Sequence, residues 1–225
     1  MSSSSLSDST NVCEPAPPAA RELFGAQFHL AEQFAALLCE EGTEWGLIGP
    51  RERPRIWSRH VAHCALLSEL IAPDREVLDV GSGAGLPGLP LAIARPDLTV
   101  TLLEPLARRI RFLQLAVQRL GLPNVTVVQA KAHLHTALTD VVTARAVAPL
   151  ERLSEWTVPL LRVGGELLAI RGASAHDELT SARGALTTVG VENPAVLTVN
   201  HAGLDPLIVV RAVRVSRETS HRRRR

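Results

Sequence analysis

The amino-acid sequence predicts an α/β protein: a mostly parallel seven-stranded sheet covered by helices, closed by an antiparallel edge hairpin and preceded by a helical extension. Three observations lead there. From residue 76 onward, short β-branched runs alternate with segments of helical periodicity, the pattern of a parallel sheet with crossover helices. The last two apolar runs are separated only by NHAGLDP, residues 200–206, with no helical pattern between them, so they pair most simply as antiparallel neighbours at the sheet edge. Ahead of the alternation, residues 21–72 carry apolar side chains at helical spacing and no strand pattern.

In chain order, residues 1–20 are rich in Ser, Pro and Ala and read as a disordered tail. Residues 21–41 place Phe24, Phe28, Ala31, Phe34 and Leu38 on one helical face. The stretch 41–55 breaks regularity at Gly42, Gly46, Gly49, Pro50 and Pro54. A second helix follows over 56–72, with Val61, Cys64, Leu67 and Ile71 aligned. Together, 21–72 form an N-terminal helical cap. The core spans 73–214, with strands at 76–80, 99–103, 125–129, 140–147, 165–170, 196–199 and 207–213. Helices run from the glycine loop to about residue 94 and over 106–120, 150–161 and 175–188. Residues 215–225 form a basic tail without a packing pattern.

A chain of 225 residues suits one such domain with its extension. The 24 basic and 23 acidic residues nearly cancel, so no global field points to nucleic acid and any such signal must be local. Lys131 is the only lysine; the other 23 basic residues are arginine, the planar fork that grips phosphates and guanine edges. Tyrosine is absent. Cys13, Cys39 and Cys64 are far apart and form no CxxC pair, so reduced thiols are expected. No signal peptide or membrane span is visible, which leads to the expectation of a cytoplasmic protein. His60 and His63 have the i, i+3 spacing of zinc ligands but no third ligand, so no metal site is expected.

The chemistry concentrates in VLDVGSGAGLPGLP, residues 77–90. A Walker loop needs a lysine after its glycines, and none is near. A short-chain dehydrogenase needs a catalytic tyrosine, and the chain has none. In register with the strand, Asp79 stands two residues before Gly81, the first of three alternating glycines with Gly83 and Gly85. Glycines let a ligand approach the backbone, and a carboxylate favours a cation over a phosphate. Glu104 ends the second strand, 23 residues after Gly81, where an acid is placed to accept both ribose hydroxyls. A nucleoside joined to a cationic amino-acid end fits both features, and S-adenosyl-L-methionine is such a molecule. This points to a Rossmann-like class I S-adenosylmethionine methyltransferase fold.

The stretch DVGSGAGLPGLPLAIARPDLTVTLLEPLARRIRFL, residues 79–113, strongly resembles the 16S ribosomal RNA 7-methylguanosine methyltransferases of the RsmG family, also called GidB. The extension LPGLPLAI is distinctive. The resemblance extends to WSRHVAHCALL (57–67), ARAVAPL (144–150) and LLAIRGASAHDEL (167–179), and covers roughly 40–180. It implies cofactor contacts at Gly81, Leu86, Glu104, Ala132, His133 and Arg145 beside the loop glycines Gly83 and Gly85. His133 departs from the family's usual acid, His63-Cys64 from its frequent Asp-Ser, Trp45-Gly46 from its Trp-Asn, and Arg171 from its lysine. The implied partner is 16S ribosomal RNA or the small ribosomal subunit; no membrane or protein partner is indicated.

Guanine N7 has a free lone pair and no proton, so methylation there requires no catalytic base, only alignment and a suitable field. The segment after the fourth strand agrees. It lacks the Asn/Asp-Pro-Pro-aromatic clamp of amine methylation, and no cysteine nucleophile for base-C5 methylation follows Cys64. Arg145 is the positioning candidate, reaching cofactor or guanine O6; its plainer reading is a structural ion pair with Glu104 or Glu151. Arg55, Arg59, His60 and Arg171 are the RNA candidates. Arg51, Arg53, Arg55 and Arg59 against Glu52 leave a local charge of +3, which suits phosphates. Arg108, Arg109, Arg111 and Arg119 on the second core helix, and Arg214 with the tail, form further basic groups. Trp45 and Trp57 are positioned to stack on a base or to pack in the core. Two other readings stay open: a same-fold methyltransferase for a small molecule or protein, and a non-catalytic RNA-binding assembly protein that retains the cofactor pocket.

Overall fold

The computed structural model describes residues 12–215; the expectations for residues 1–11 and 216–225 lie outside them. The cap begins earlier than its apolar periodicity indicates. Helix α1 is Pro18–Phe24, with proline in its first turn, where a missing N–H costs nothing. Gly25 at φ 48° ends it. The 3-10 turn Gly25–Gln27 leads into α2 (Phe28–Leu37) and a π-helical turn, Leu38–Gly42. The apolar stripe of 21–41 is therefore real, but three local geometries share it.

The described part of the expected disordered tail is packed. Ala19 and Ala20 are buried, and the Glu14 carboxylate accepts from the amides of Trp57 (2.8 Å) and Ser58 (2.9 Å). That contact folds the segment back over the cap. Cys13 is bonded to Cys39, with Cα atoms 6.4 Å apart, which corrects the expectation of three reduced thiols; Cys64 alone is free, and buried. A pair 26 residues apart with no spacing motif leaves no sequence signal. The second cap helix is likewise composite: a π-helical segment Ile56–Val61, α3 (Ala62–Ala65) and a 3-10 turn Leu66–Leu70.

The core sheet has the order β3-β2-β1-β4-β5-β7-β6. Strands β1 (Glu76–Val80), β2 (Thr99–Leu103), β3 (Val125–Val128), β4 (Thr139–Arg145) and β5 (Leu161–Arg171) are parallel. Strand β7 (Leu207–Arg214) lies antiparallel between β5 and β6 (Val191–Val199). The expected edge hairpin is present. Strand β6 starts five residues before the expected 196, because Asn193, at φ 48°, and Pro194 hide a shift of register between Glu192 and Ala195. Arg214, counted with the basic tail, instead ends β7 and donates to the carbonyls of Pro159 (2.9 Å) and Leu161 (2.6 Å).

Side chains alternate across the strands. Val77, Val100, Leu102, Val141, Leu168 and Ile170 face one cluster, shared with α4 (Gly88–Ala94), α5 (Ala107–Leu120) and the cap. Leu78, Val80, Leu103, Val142, Leu167 and Ala169 face the other, with α6 (Leu150–Thr157) and α7 (Ala175–Thr188). The same parity sends Asp79, Glu104 and Arg145, at the carboxyl ends of β1, β2 and β4, toward the cap side. Strand order reverses between β1 and β4, where open α/β sheets bind ligands.

Candidate active site

The loop after β1 turns on glycines whose conformations are required. Gly81 has φ 71°, and a Cβ there would lie 2.7 Å from Val147 Cγ2. Gly88 opens α4 so close to β1 and β2 that a Cβ would lie 2.3 Å from Leu102 Cδ2 and 2.7 Å from Asp79 Oδ2. Gly83 differs: a Cβ would meet nothing nearer than the Gly81 carbonyl oxygen at 3.7 Å. A side chain at Gly83 would project into the free volume above the loop.

The two acids beside the loop have roles the spacing does not reveal. Asp79 is fully buried. Its Oδ2 accepts from the Gly88 amide (3.0 Å) and its Oδ1 from the Thr143 hydroxyl (3.2 Å). Burial pushes its carboxyl up to about 6, against those hydrogen bonds. Asp79 thus ties β1 to α4 and β4 rather than facing a ligand's cation, a correction to the sequence reading. Glu104 is 1% exposed. Its Oε2 accepts from the Gly83 amide (3.1 Å) and its Oε1 from the Leu106 amide (3.1 Å), with Arg109 Nη1 3.4 Å from Oε2. It braces the loop from beneath while Arg109 stands over it.

Above the loop lies a cleft of about 250 Å³. The loop from Gly81 to Ala84 and Leu86 line it on one side, Leu47, Ile48 and His60 from the cap on another, with Arg109, Arg145 and Ala146 beside them. A second cleft, of about 470 Å³, is lined by Arg59, His63, Arg171, Gly172, Glu178 and Pro206 among others. The two share Arg145 and Ala146. Ala146 has φ 53°, an uncommon conformation for a residue with a Cβ, of the kind that collects at functional sites. A further cavity of about 230 Å³ lies at the opposite end of the sheet, where Arg162 pairs with Asp140 (2.8 Å) and Glu76 (2.7 Å); these ion pairs join strand starts.

Arg145 pairs with neither Glu104 nor Glu151. Its Nη1 donates to Cys64 Sγ (3.1 Å) and its Nη2 to His60 Nδ1 (2.9 Å). His60 is 6% exposed, and its Nε2 lies 2.9 Å from Glu52 Oε2. Burial, then the Arg145 cation, push the imidazole down to about 4, so it is neutral. Glu52 also pairs with Arg55 (2.7 Å) and Arg59 (3.6 Å); His60, Arg55 and Arg59 hold its carboxyl below the usual range despite burial.

Gly81, Gly83, Leu86 and Arg145 are therefore brought together in one cleft, with Glu104 directly beneath. Gly85 turns inward against Leu89. Ala132 packs toward the α6-side cluster, and His133 is exposed on the 3-10 turn Ala132–Leu134; neither lines the cleft. Arg59, His60 and Arg171 reach one cleft or the other, while Arg55 stays exposed on Glu52. Arg171 is largely enclosed, with Nε 3.2 Å from Glu178 and Nη2 donating to the Ala148 carbonyl (3.2 Å); burial lowers its pKa. Trp57, considered for base stacking, is 3% exposed and stacked on Phe28; Trp45 packs edge-on against Phe112. The sequence does not single out Leu47, Ile48 or the role of Glu52, since none belongs to a local motif; Ala146 lies within ARAVAPL, but its left-handed backbone is not legible there. The one available signal was the excess of arginines around Glu52, which makes that carboxylate a natural ion-pair centre.

Residues 27–209 match the family model described as rRNA small subunit methyltransferase G. The chain is 52% identical over 204 residues to the ribosomal RNA small subunit methyltransferase G of Streptomyces avermitilis, covering 89% of this chain and 86% of that one. It is 47% identical over 210 residues to the protein of the same name from Rhodococcus jostii, covering 91% and 92%. Among solved structures, a SAM dependent methyltransferase from Aquifex aeolicus aligns with a TM-score of 0.55 at 18% identity, over 72% of this chain and 94% of that one. M. jannaschii TYW2 in complex with AdoMet aligns with a TM-score of 0.55 at 16% identity, over 70% and 76%. The latter two are likenesses of fold.

Proposed function

The chain belongs to the rRNA small subunit methyltransferase G family, and from that premise we propose that it transfers a methyl group from S-adenosyl-L-methionine to N7 of a guanine in 16S ribosomal RNA. The observation that carries the reading is the meeting of two clefts at Arg145 and Ala146, on the carboxyl side of β1 and β4.

The residues of the first cleft fit the cofactor. Leu47, Ile48 and Leu86 offer apolar surface to a purine and a thioether chain. Gly83 leaves room against the backbone. Glu104, enclosed beneath the loop, acts on the ribose side by holding the Gly83 backbone that lines the cleft. Arg109 suits the carboxylate of an amino-acid end. Ala132 and His133 belong to the adenine side only if the turn after β3 moves closer when ligand binds. Bound there, S-adenosyl-L-methionine supplies a methyl group on a sulfonium, and guanine N7 carries no proton, so no side chain has to act as a base. What the chain contributes is alignment.

The second cleft suits the acceptor nucleotide. Arg59, Arg145 and Arg171 bring three cations against one carboxylate, Glu178, which favours a phosphodiester. Arg145 stands on the wall shared by both ligands and donates to guanine O6, leaving N7 free. Arg55, more exposed, serves the flanking phosphates.

The test is methyl transfer from labelled S-adenosyl-L-methionine to small-subunit ribosomal RNA from cells lacking this protein, followed by nucleoside analysis. Label in 7-methylguanosine is expected. Label on carbon 5 of a pyrimidine or on an exocyclic amine, or none, rejects the reading.

A further inference from the structure

We propose that Glu52 is a positioning residue for the transfer: through the imidazole of His60 it holds the guanidinium of Arg145 on the wall between the two clefts. The inference rests on the function proposed above and adds to it a residue that touches neither ligand.

The chemistry of the three groups leaves one arrangement. A guanidinium only donates. Arg145 Nη2 lies 2.9 Å from His60 Nδ1, so Nδ1 is bare and accepts. A neutral imidazole then carries its proton on Nε2, 2.9 Å from Glu52 Oε2, and donates it there. Both ring nitrogens are committed, one in each direction, and the ring cannot flip without losing both bonds. Desolvation and the Arg145 cation hold His60 neutral, which keeps Nδ1 available as acceptor. Glu52 thus selects the tautomer, as a carboxylate behind a histidine does in other sites.

The consequence falls on Arg145. Its guanidinium has five N–H groups. Those directed at Cys64 and His60 fix its plane from the cap side, and the rest make no hydrogen bond among the described residues, which leaves them for ligands. Without Glu52, Nε2–H loses its acceptor and the Nδ1–H tautomer becomes accessible, which sets a donor against the Arg145 donor. The arginine then leaves the shared wall. Glu52 comes from the 3-10 segment Pro50–Arg55 of the cap, and Arg145 from the end of β4. The relay therefore makes the alignment at the core depend on the cap.

The test has two independent readouts. In the wild-type protein, long-range nitrogen NMR of the ring, with the signal assigned by its loss in His60→Gln, is expected to show a single Nε2–H tautomer; an Nδ1–H tautomer overturns the proposal whether or not any RNA is methylated. In methyl transfer to small ribosomal subunits lacking the modification, Glu52→Ala is expected to lower kcat on the order of tenfold or more. Its KM for the particle should not rise, because removing a carboxylate beside Arg55 and Arg59 takes a repulsion away from phosphates. Its affinity for S-adenosyl-L-methionine, by calorimetry, should stay within about threefold of wild type. Glu52→Gln keeps an oxygen for Nε2–H and should recover most of the lost kcat. An unchanged kcat in Glu52→Ala overturns the proposal. So does a loss of the same size in Glu52→Gln, or one that follows a fall in melting temperature or cofactor binding. If wild-type protein transfers no methyl to ribosomal RNA, the proposed function fails while the tautomer readout still decides this inference.

Discussion

Asp79 is a carboxyl enclosed on every side, and its protonation affects stability. Its folded pKa, about 6, stands above the ordinary 3.8. The stability linked to it is full below the unfolded value and is lost as pH rises through the folded one. His60 has the opposite sign: its folded pKa of about 4 lies below 6.5, so its contribution is present above 6.5 and lost as pH falls toward 4. The two partly cancel in the wild-type profile. Asp79→Asn isolates the first, since an amide keeps an acceptor for Gly88 and turns a donor toward Thr143. The variant should gain on wild type between about pH 4 and 6, to roughly 2–3 kcal/mol above that range. Denaturant unfolding across pH checks this; a difference that does not change with pH refutes it. Glu104 carries a second expectation at this scale. Each of its oxygens accepts a backbone N–H, so Glu104→Ala leaves two donors unpaired and Glu104→Gln sets an NH2 against one of them. Both should cost about 1–3 kcal/mol and weaken S-adenosyl-L-methionine binding. A normal melting temperature with weak binding would show that Glu104 serves the ligand alone.

Among the elements, Arg95 is one of the polar joints between cap and core. Arg95, just after α4, sends Nη1 to the carbonyls of Ser68 (3.1 Å) and Ile71 (2.9 Å). These are carbonyls at the end of the second cap helix, where helical partners run out. Its Nε and Nη2 hold Asp97 at 2.8 and 2.6 Å, which fixes the fork. By contrast, Arg211 grips Glu166 at 2.6 Å across neighbouring strands on an exposed face. Arg95→Ala should therefore destabilise by about 1–3 kcal/mol, and Arg211→Ala by less than about 1. Equal effects in denaturant titrations would refute the assigned role. The cap itself has no solvated inner face. Phe34, Leu38, Ile56 and Leu66 are fully buried in the cluster that holds Leu89, Leu91, Leu102 and Phe112.

For the whole molecule, that shared cluster predicts cooperativity. Cap and core contribute to one apolar body, so neither buries its inner surface alone. Trp45 and Trp57 report on the cap and Trp156 on α6. Tryptophan fluorescence, far-UV dichroism and calorimetry should give one coincident transition. A separate early melting of the cap would refute it and would detach the Glu52 relay from the folded core. With a net charge of +1, the whole molecule supplies little long-range attraction to a polyanion, so on the proposed function the RNA contacts fall to local arginines such as Arg59. Among the described residues no helix is long and apolar enough to cross a membrane.

The alternation of strands and helices, the glycine loop, the acid at the end of β2 and the edge hairpin were all legible in the sequence, because each follows from periods of two and 3.6 residues or from backbone freedom at particular glycines. Arg145 was legible too, as a charge at the end of a strand beside the switch in strand order. What it holds was not. Its partners Cys64 and His60 stand 81 and 85 residues away, and Glu52 is reached only through His60. The inward turn of Asp79, the Cys13–Cys39 bond and the packing of residues 12–20 were hidden for the same reason. Local patterning determines which face of each element is apolar and where the chain must bend. Only tertiary packing decides which polar groups from distant segments meet where water is excluded, and there a single partner sets the charge, tautomer and direction of each side chain.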